Sequence, residues 1–534
     1  MKKILTLMSV IGAVSSFAGL SVSASAATPA DTLVMAWNID SITTFDPAQV
    51  NEVVTNEILL NLCDTLVDYD PEDESKIIPR FAESWDVSDD RRTLTFHLRK
   101  GAKFPSGNPV TAEDAAWSLQ RIVKLKLANA LSLSEFGFVP ETIDQTIKAT
   151  DENTLVLKLD KPYPSTLILQ AIGAYRTSGV LDRKTVLENE VAGDMGNKYL
   201  TTHTECVGPY RLARWNAGEA VLLEANQNYW GSAPKLKRVL IRHVAETGTQ
   251  RLLVAQGDVD VARDLTPQDM ADLEKSGKVE LSIVPTPQML YWNINNRDAP
   301  LSNDKVRLAF RYLVDYDGLA KTVMHLIGSP RASLVQLGAV GALDLKEGQP
   351  FKLDLDKAKA LLAEAGYENG FSTTLAIGSH PYSAAIAQSL QQNASKVGIS
   401  IKIESMANAQ LFSRVRSREY ETVLQPWLAN VPDAYGMVSR FIVNPDNRSE
   451  AKLGNLPSWR SSYYSPEMNK RAEDALFEPD DQKRIEMYHS IQRDQLQNGP
   501  HAFLFQLNAV SGLNAVLKNW TQNGLRAYYD KASK

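Results

Sequence analysis

The residues of this chain that could do chemistry are scattered, and the templates for common reactions fail one after another. Carboxylates lie close together at Asp89-Asp90, at Asp258 with Asp260 and at Asp480-Asp481. A glycoside hydrolase needs only two carboxyl groups placed by its fold, but nothing in the spacing selects one pair, and solvated turns account for most of them. The seven histidines stand singly. Neither His325 nor His380 has a second His or Cys at the spacing of a metal centre. The chain has no Gly-x-Ser-x-Gly turn, P-loop, Gly-x-Gly-x-x-Gly, Cys-x-x-Cys or His-Glu-x-x-His, each of which carries a specific mechanism. The expectation is a protein that is not an enzyme and holds no metal or cofactor.

Two stretches instead put large rings beside neutral amides: Tyr291-Trp292-Asn293-Ile294-Asn295-Asn296 and Gln425-Pro426-Trp427-Leu428-Ala429-Asn430. Apolar walls with a few orienting donors and acceptors suit a small-molecule pocket. The competing reading is core aromatics with helix caps. It is the better one for Trp292 taken alone, whereas Trp427 with Asn430 reads as a binding pair.

The elements that must position these residues follow from periodicity. A first strand over 32–37 leads through Asp46-Pro47 into a helix over 53–66. Strands and turns follow, with alternation over 93–98 and 154–159, and a helix from the Thr111 cap to about Val123 with acids in its first turn. Another alternating run covers 220–224. From Val239 the rhythm becomes strand, helix, strand (239–244, 246–256, 259–263), as in an α/β unit. Pro285-Thr286-Pro287 marks a crossing into another domain. Beyond it come a capped helix over 303–315, a helix over 384–397 between strands 373–378 and 399–404, a helical end over 466–497 and a strand over 501–507.

Residues Met1 to Ala26 read as an export signal: Lys2 and Lys3, an apolar stretch, then Ala24-Ser25-Ala26 as the cleavage site. The stretch is interrupted by Thr6, Ser9, Ser15 and Ser16, unlike the roughly 20 apolar residues of a membrane span. No cysteine precedes Cys63, so no thiol is available for a lipid anchor at the cleavage site. The expected product is free, soluble and periplasmic. At 534 residues, 44% hydrophobic and 22% charged, it has material for two or three domains. Its net charge goes from −6 to −8 on loss of Lys2 and Lys3, the only charges in the signal. No basic stripe marks a nucleic-acid binder. Cys63 and Cys206 are the only cysteines; an oxidising compartment leaves a structural disulfide between them open, against a buried free thiol on the apolar run around Cys63.

Several motifs taken in order resemble the solute-binding proteins of ABC importers of the oligopeptide, dipeptide and nickel class, family 5. They are Phe45-Asp46-Pro47; Leu98-Arg99-Lys100-Gly101-Ala102-Lys103-Phe104; Val110-Thr111-Ala112-Glu113-Asp114 with Ser118-Leu119; Val207-Gly208-Pro209-Tyr210; Asn228-Tyr229-Trp230-Gly231; and, later, Asn295-Asn296, Pro300-Leu301 and Val306-Arg307. The resemblance implies an α/β, two-lobed periplasmic-binding-protein fold (class II, cluster C type) with an extra subdomain in the first lobe. On that scheme residues 27–60 and 190–284, with 500–534, form the first lobe, 61–189 its extra subdomain, and 285–499 the second lobe. It also implies a monomer that hands a peptide or peptide-like ligand to an inner-membrane ABC permease complex.

The site implied comprises Trp37, Asn38, Trp292, Asn293, Asn295, His380, Tyr382, Trp427, Asn430 and Asp433. Two positions depart from the family pattern. Peptide-binding members carry an aspartate for the ligand's α-amino group where this chain has Asn430, with Asp433 three residues on. A charge-assisted hydrogen bond is worth about 1.5–3 kcal/mol, so its loss weakens a free amino terminus by roughly ten- to a hundredfold. Dipeptide-binding members carry an arginine before Pro-Tyr; here it is His380, followed by Pro381-Tyr382. Imidazole cannot make the two-pronged contact of a guanidinium. Opine-like, sugar-like or other amide-bearing solutes are therefore the alternative ligands within the carrier role. A secreted carboxylate-pair hydrolase and a periplasmic chaperone or sensor are the rivals outside it.

Overall fold

A computed structural model of the chain describes residues 28–173, 178–429 and 431–534. The expected signal peptide and Asn430 lie outside the described residues.

Two long antiparallel strands organise everything else. Val279–Ile294 pairs with His501–Asn514, from Val279 opposite Asn514 to Asn293 opposite His501. At about 3.3 Å per residue the first of them spans roughly 50 Å, long enough to belong to two lobes at once. Beyond one end the sheet continues through Val261–Ala262, Thr32–Trp37, Arg238–His243, Ala220–Ala225 and Tyr210–Asn216. Beyond the other it continues through Thr422–Leu428, Phe371–Ile377 and Ile399–Ser405. The fold is α/β and two-lobed.

The lobe crossing expected as a break at Pro285-Thr286-Pro287 lies within a strand. The ladder continues past the prolines, and its register shifts between Pro285 and Met289. Pro285 and Pro287 have no N–H to give, so the ladder is weakest there and the strand can bend at the irregularity.

The first lobe carries a separate antiparallel sheet, Ala82–Val87, Thr93–Leu98, Thr154–Lys158 and Ile147–Asp151 in that order. Thr93–Leu98 alternates buried and half-buried residues, and helix Ala112–Leu125 packs nearby on a shared core with Phe96, Leu155 and Phe136. That helix starts where the sequence says. The Thr111 hydroxyl accepts from the Asp114 N–H while Asp114 accepts from the Thr111 N–H, a capping box. Its Arg121 forms a wholly buried two-pronged pair with Asp46, at 2.7 and 2.6 Å, which gives the Phe45-Asp46-Pro47 motif a structural task.

Helix Val53–Leu62 stops short of the expected Leu66. Cys63 is extended there and bonded through sulfur to Cys206, with Cα atoms 4.8 Å apart. Next to it, a Cβ on Gly208 would lie 2.1 Å from the Leu62 carbonyl oxygen, so only glycine fits this approach.

The bridge closes a loop with a sequence separation of 143 residues. Replacing both cysteines by alanine should lower stability by about 2–5 kcal/mol, read as an earlier urea midpoint. Coincident unfolding curves for the variant and the oxidised wild type would contradict this.

Candidate functional site

Segments remote in the chain face each other across a cavity of about 260 Å³. Asn51, Val53, Asn56 and Leu131 line it together with Thr286 and Gln288 of strand Val279–Ile294 and with Leu428 and Arg440. An adjoining cavity of about 430 Å³ shares Leu131, Leu428 and Arg440 and adds Phe412 and Trp427. Their walls contain apolar side chains left in water: Val53 is 63% exposed, Leu131 47%, Leu428 43% and Phe412 37%. Large exposed apolar groups gathered from separate elements mark an interaction site.

Local chemistry explains how these walls are held. The Asn129 side-chain amide donates to the carbonyls of Pro47 and Val50, at 2.8 and 2.9 Å, which fixes the Leu131 segment against the entry to helix Val53–Leu62. Thr286 donates its hydroxyl to the Leu507 carbonyl at 2.8 Å. Trp427, on strand Thr422–Leu428, meets the Phe441 ring edge-on at 5.7 Å. Beneath it, Tyr420 donates to the Arg460 carbonyl at 2.9 Å and accepts from the Asn293 amide at 2.8 Å.

Remote segments also touch directly at this cavity. Arg440 donates to Glu135, 305 residues away in the chain, at 2.6 Å. Burial pushes the Glu135 carboxyl above the usual carboxylate range, while the adjacent Arg440 charge and hydrogen bond pull it back. Beyond this pair lies a third interlobe cavity, of about 640 Å³, with Tyr163 on one side and Tyr435 and Phe477 on the other. Its wall mixes these aromatic rings with five charged side chains, Glu135, Lys161, Arg440, Lys470 and Glu473.

Comparison with known proteins agrees with this geometry. The sequence model for bacterial extracellular solute-binding proteins, family 5 (middle) matches residues 76–448. The chain belongs to this family. Among curated family 5 relatives, the probable D,D-dipeptide-binding periplasmic protein of Escherichia coli K12 is 28% identical over 503 residues, covering 94% of this chain and 93% of that one. A dipeptide-binding protein of the same strain is 27% identical over 444 residues, 78% of each chain. An ABC transporter-associated periplasmic binding protein from Helicobacter pylori, solved with the peptide STSA, superposes with a TM-score of 0.76 at 24% identity, covering 94% of this chain and 98% of that one.

The family 5 fold sorts the residues expected from sequence. Of the nine that are described, Trp427 alone lines the interlobe cavities above. Trp292 is fully buried and stacks on Phe310 at 4.6 Å in the second-lobe core. Asn293 donates its side-chain amide to the Tyr420 hydroxyl, and Asn295 donates to the carbonyls of Arg418 and Tyr420 and accepts from the Ser462 hydroxyl. Asp433 is wholly buried; it caps helix Ala434–Phe441 and pairs with both terminal nitrogens of Arg484. All four side chains are buried against protein partners in this structure. Trp37 packs in the first-lobe core under Arg263, at 4.2 Å. Exposed Asn38 turns its side chain to the Asp40 N–H. His380 and Tyr382 stack in parallel, 5.5 Å apart, where strand Phe371–Ile377 hands over to helix Ser383–Ser395. Burial holds His380 below the usual imidazole range. Asn430 lies outside the described residues.

Sequence reasoning missed Glu135, Arg440 and Leu131. Arg440 had one local signal, a lone cation on a helix whose Met437, Val438 and Phe441 are buried.

His501 sits behind Trp427, ringed by Tyr291, Phe441 and Phe503. Burial, reinforced by the Arg311 charge, pushes its imidazole down to about 3. The unfolded chain titrates near 6.5, so this contribution to stability is complete above that pH and lost as pH falls toward 3. Between pH 6.5 and 5 the loss should approach about 1.4 kcal/mol per unit. His501→Phe should remove that component from chemical denaturation series; an unchanged pH slope would exclude His501 as its source.

Proposed function

We propose that this protein is the periplasmic binding component of an ABC importer, which encloses a peptide or peptide-like solute between its lobes and presents it intact to an inner-membrane permease. The observation that carries the reading is the convergence of exposed apolar side chains from remote segments, Val53, Leu131, Leu428 and Phe412, on two adjoining cavities, the first of which also takes Thr286 and Gln288 of strand Val279–Ile294 into its wall. The printed names of the relatives, dipeptide-binding and D,D-dipeptide-binding, support the solute class.

The division of the chain belongs to this reading. Residues 27–60, 190–284 and 500–534 form the first lobe, 61–189 its extra subdomain and 285–499 the second lobe, supported by the register shift beside Pro285 and by the separate four-stranded sheet. The protein acts as a monomer, exported by cleavage after Ala26. No described helix is long and apolar enough to cross a membrane.

Mechanism follows from differential affinity. A solute touching both lobes binds the closed form better than the open one, and shifts their equilibrium by that difference.

Mass spectrometry of solute released from gently purified protein, followed by calorimetric titration of the recovered compound, tests this. Saturable binding with the solute mass unchanged is expected; a recovered product of cleavage would end the carrier reading. Trp427→Ala should weaken binding at least about tenfold, or roughly 1.4 kcal/mol. Asn430→Asp should strengthen binding of free-amino peptides by roughly ten- to a hundredfold. Unchanged titrations would remove either residue from the site.

A further inference from the structure

The cavity beside Trp427 is cationic in a way that the capture reading does not by itself require. Arg416, Arg440 and Arg460 all line it, and among its described lining residues there is no Asp or Glu. Arg460 is only 8% exposed. Its Nε donates to the Gly454 carbonyl at 2.6 Å and its guanidinium lies 5.6 Å from the centre of the Trp427 ring, but no described carboxylate pairs with it. A buried guanidinium without a counter-charge is costly. Burial, with the neighbouring Arg416 charge also acting against it, pulls Arg460 below its usual range.

Arg416 closes the last turn of helix Asn408–Arg416, is exposed, and has no side-chain hydrogen bond or ion pair to a described residue. Arg440 is the exception, since Glu135 neutralises it at 2.6 Å. Three cations therefore share one carboxylate, and that carboxylate stands at the far edge of the cluster, toward the cavity beside Val53.

We propose that this cavity receives a carboxylate of the bound solute, held between the guanidinium groups of Arg416 and Arg460 with the Trp427 ring as its apolar floor. The proposal rests on the peptide-capture reading and adds to it the end of the ligand that is charged and the place where it docks. A planar guanidinium offers parallel N–H donors that match a carboxylate, and a carboxylate supplies the counter-charge that Arg460 lacks. The carboxylate comes either from the carboxyl terminus of a peptide or from an acidic side chain, and both present the same two oxygens.

The test uses the mature protein, immobilised, and a casein hydrolysate, one half native and the other with all carboxylates converted to carboxamides. Peptides retained from each half are identified by mass spectrometry. Wild type should retain native peptides at least tenfold over amidated ones, and Arg416→Gln and Arg460→Gln should each abolish that preference, with Arg460→Lys restoring part of it. Arg416 is exposed, so its variant decides the matter even if Arg460→Gln fails to fold. Retained native peptides rich in Asp and Glu would assign the group to a side chain; no such bias would assign it to the carboxyl terminus. Equal retention of both halves, or a full preference in Arg416→Gln, would overturn the carboxylate site and leave peptide capture standing. Retention of neither half would overturn peptide capture and this proposal together.

Discussion

Everything in this molecule depends on the pairing of Val279–Ile294 with His501–Asn514. One end of that ribbon seeds the strands of the first lobe and the other those of the second, so a single sheet runs through both bodies. Hydrophobic clusters form around it on each side: Leu33, Ile58 and Tyr210 in one, Leu290, Phe310 and Leu375 in the other. A ribbon with unbroken hydrogen bonds would make a stiff joint. Two prolines and a register shift near its centre remove donors where bending is useful, and the open interlobe cavity lies beside that point, with Thr286 and Gln288 in its wall.

Charge is used in two different ways around this frame. Asp46 with Arg121, and Asp433 with Arg484, are buried and two-pronged, and each joins segments far apart in sequence. Breaking such a pair leaves an uncompensated charge in low dielectric, so these are commitments of the folded state. Glu135 with Arg440 is different in kind, because both partners sit at the wall of a cavity, where they are partly open to solvent.

Local features were legible from sequence and remote ones were not. The Thr111 to Asp114 cap, the Thr93–Leu98 alternation and the strand Thr32–Trp37 needed only neighbours along the chain. The end of helix Val53–Leu62 did not, because the tertiary contact of Asp64 N–H with the Val207 carbonyl, beside the Cys63–Cys206 bridge, decides it. Prolines read as punctuation hid a continuous strand, since the partner that keeps the ladder together lies some 220 residues away. Trp427, read from sequence as a ring among amides, lines the cavity beside Phe412. Asp433, three residues beyond the expected acid position, is buried and caps a helix, and a capping acid and a ligand-facing acid have the same local pattern. Glu135 and Arg440, separated by 305 residues, carry no mutual signal that a single chain could reveal.

The two-strand ribbon also limits how the jaws can travel. Hydrogen-bonded register forbids sliding by less than a whole pair, and sliding by one would turn buried faces outward. Bending and twisting remain. The halves can therefore open like a book but cannot ratchet lengthwise.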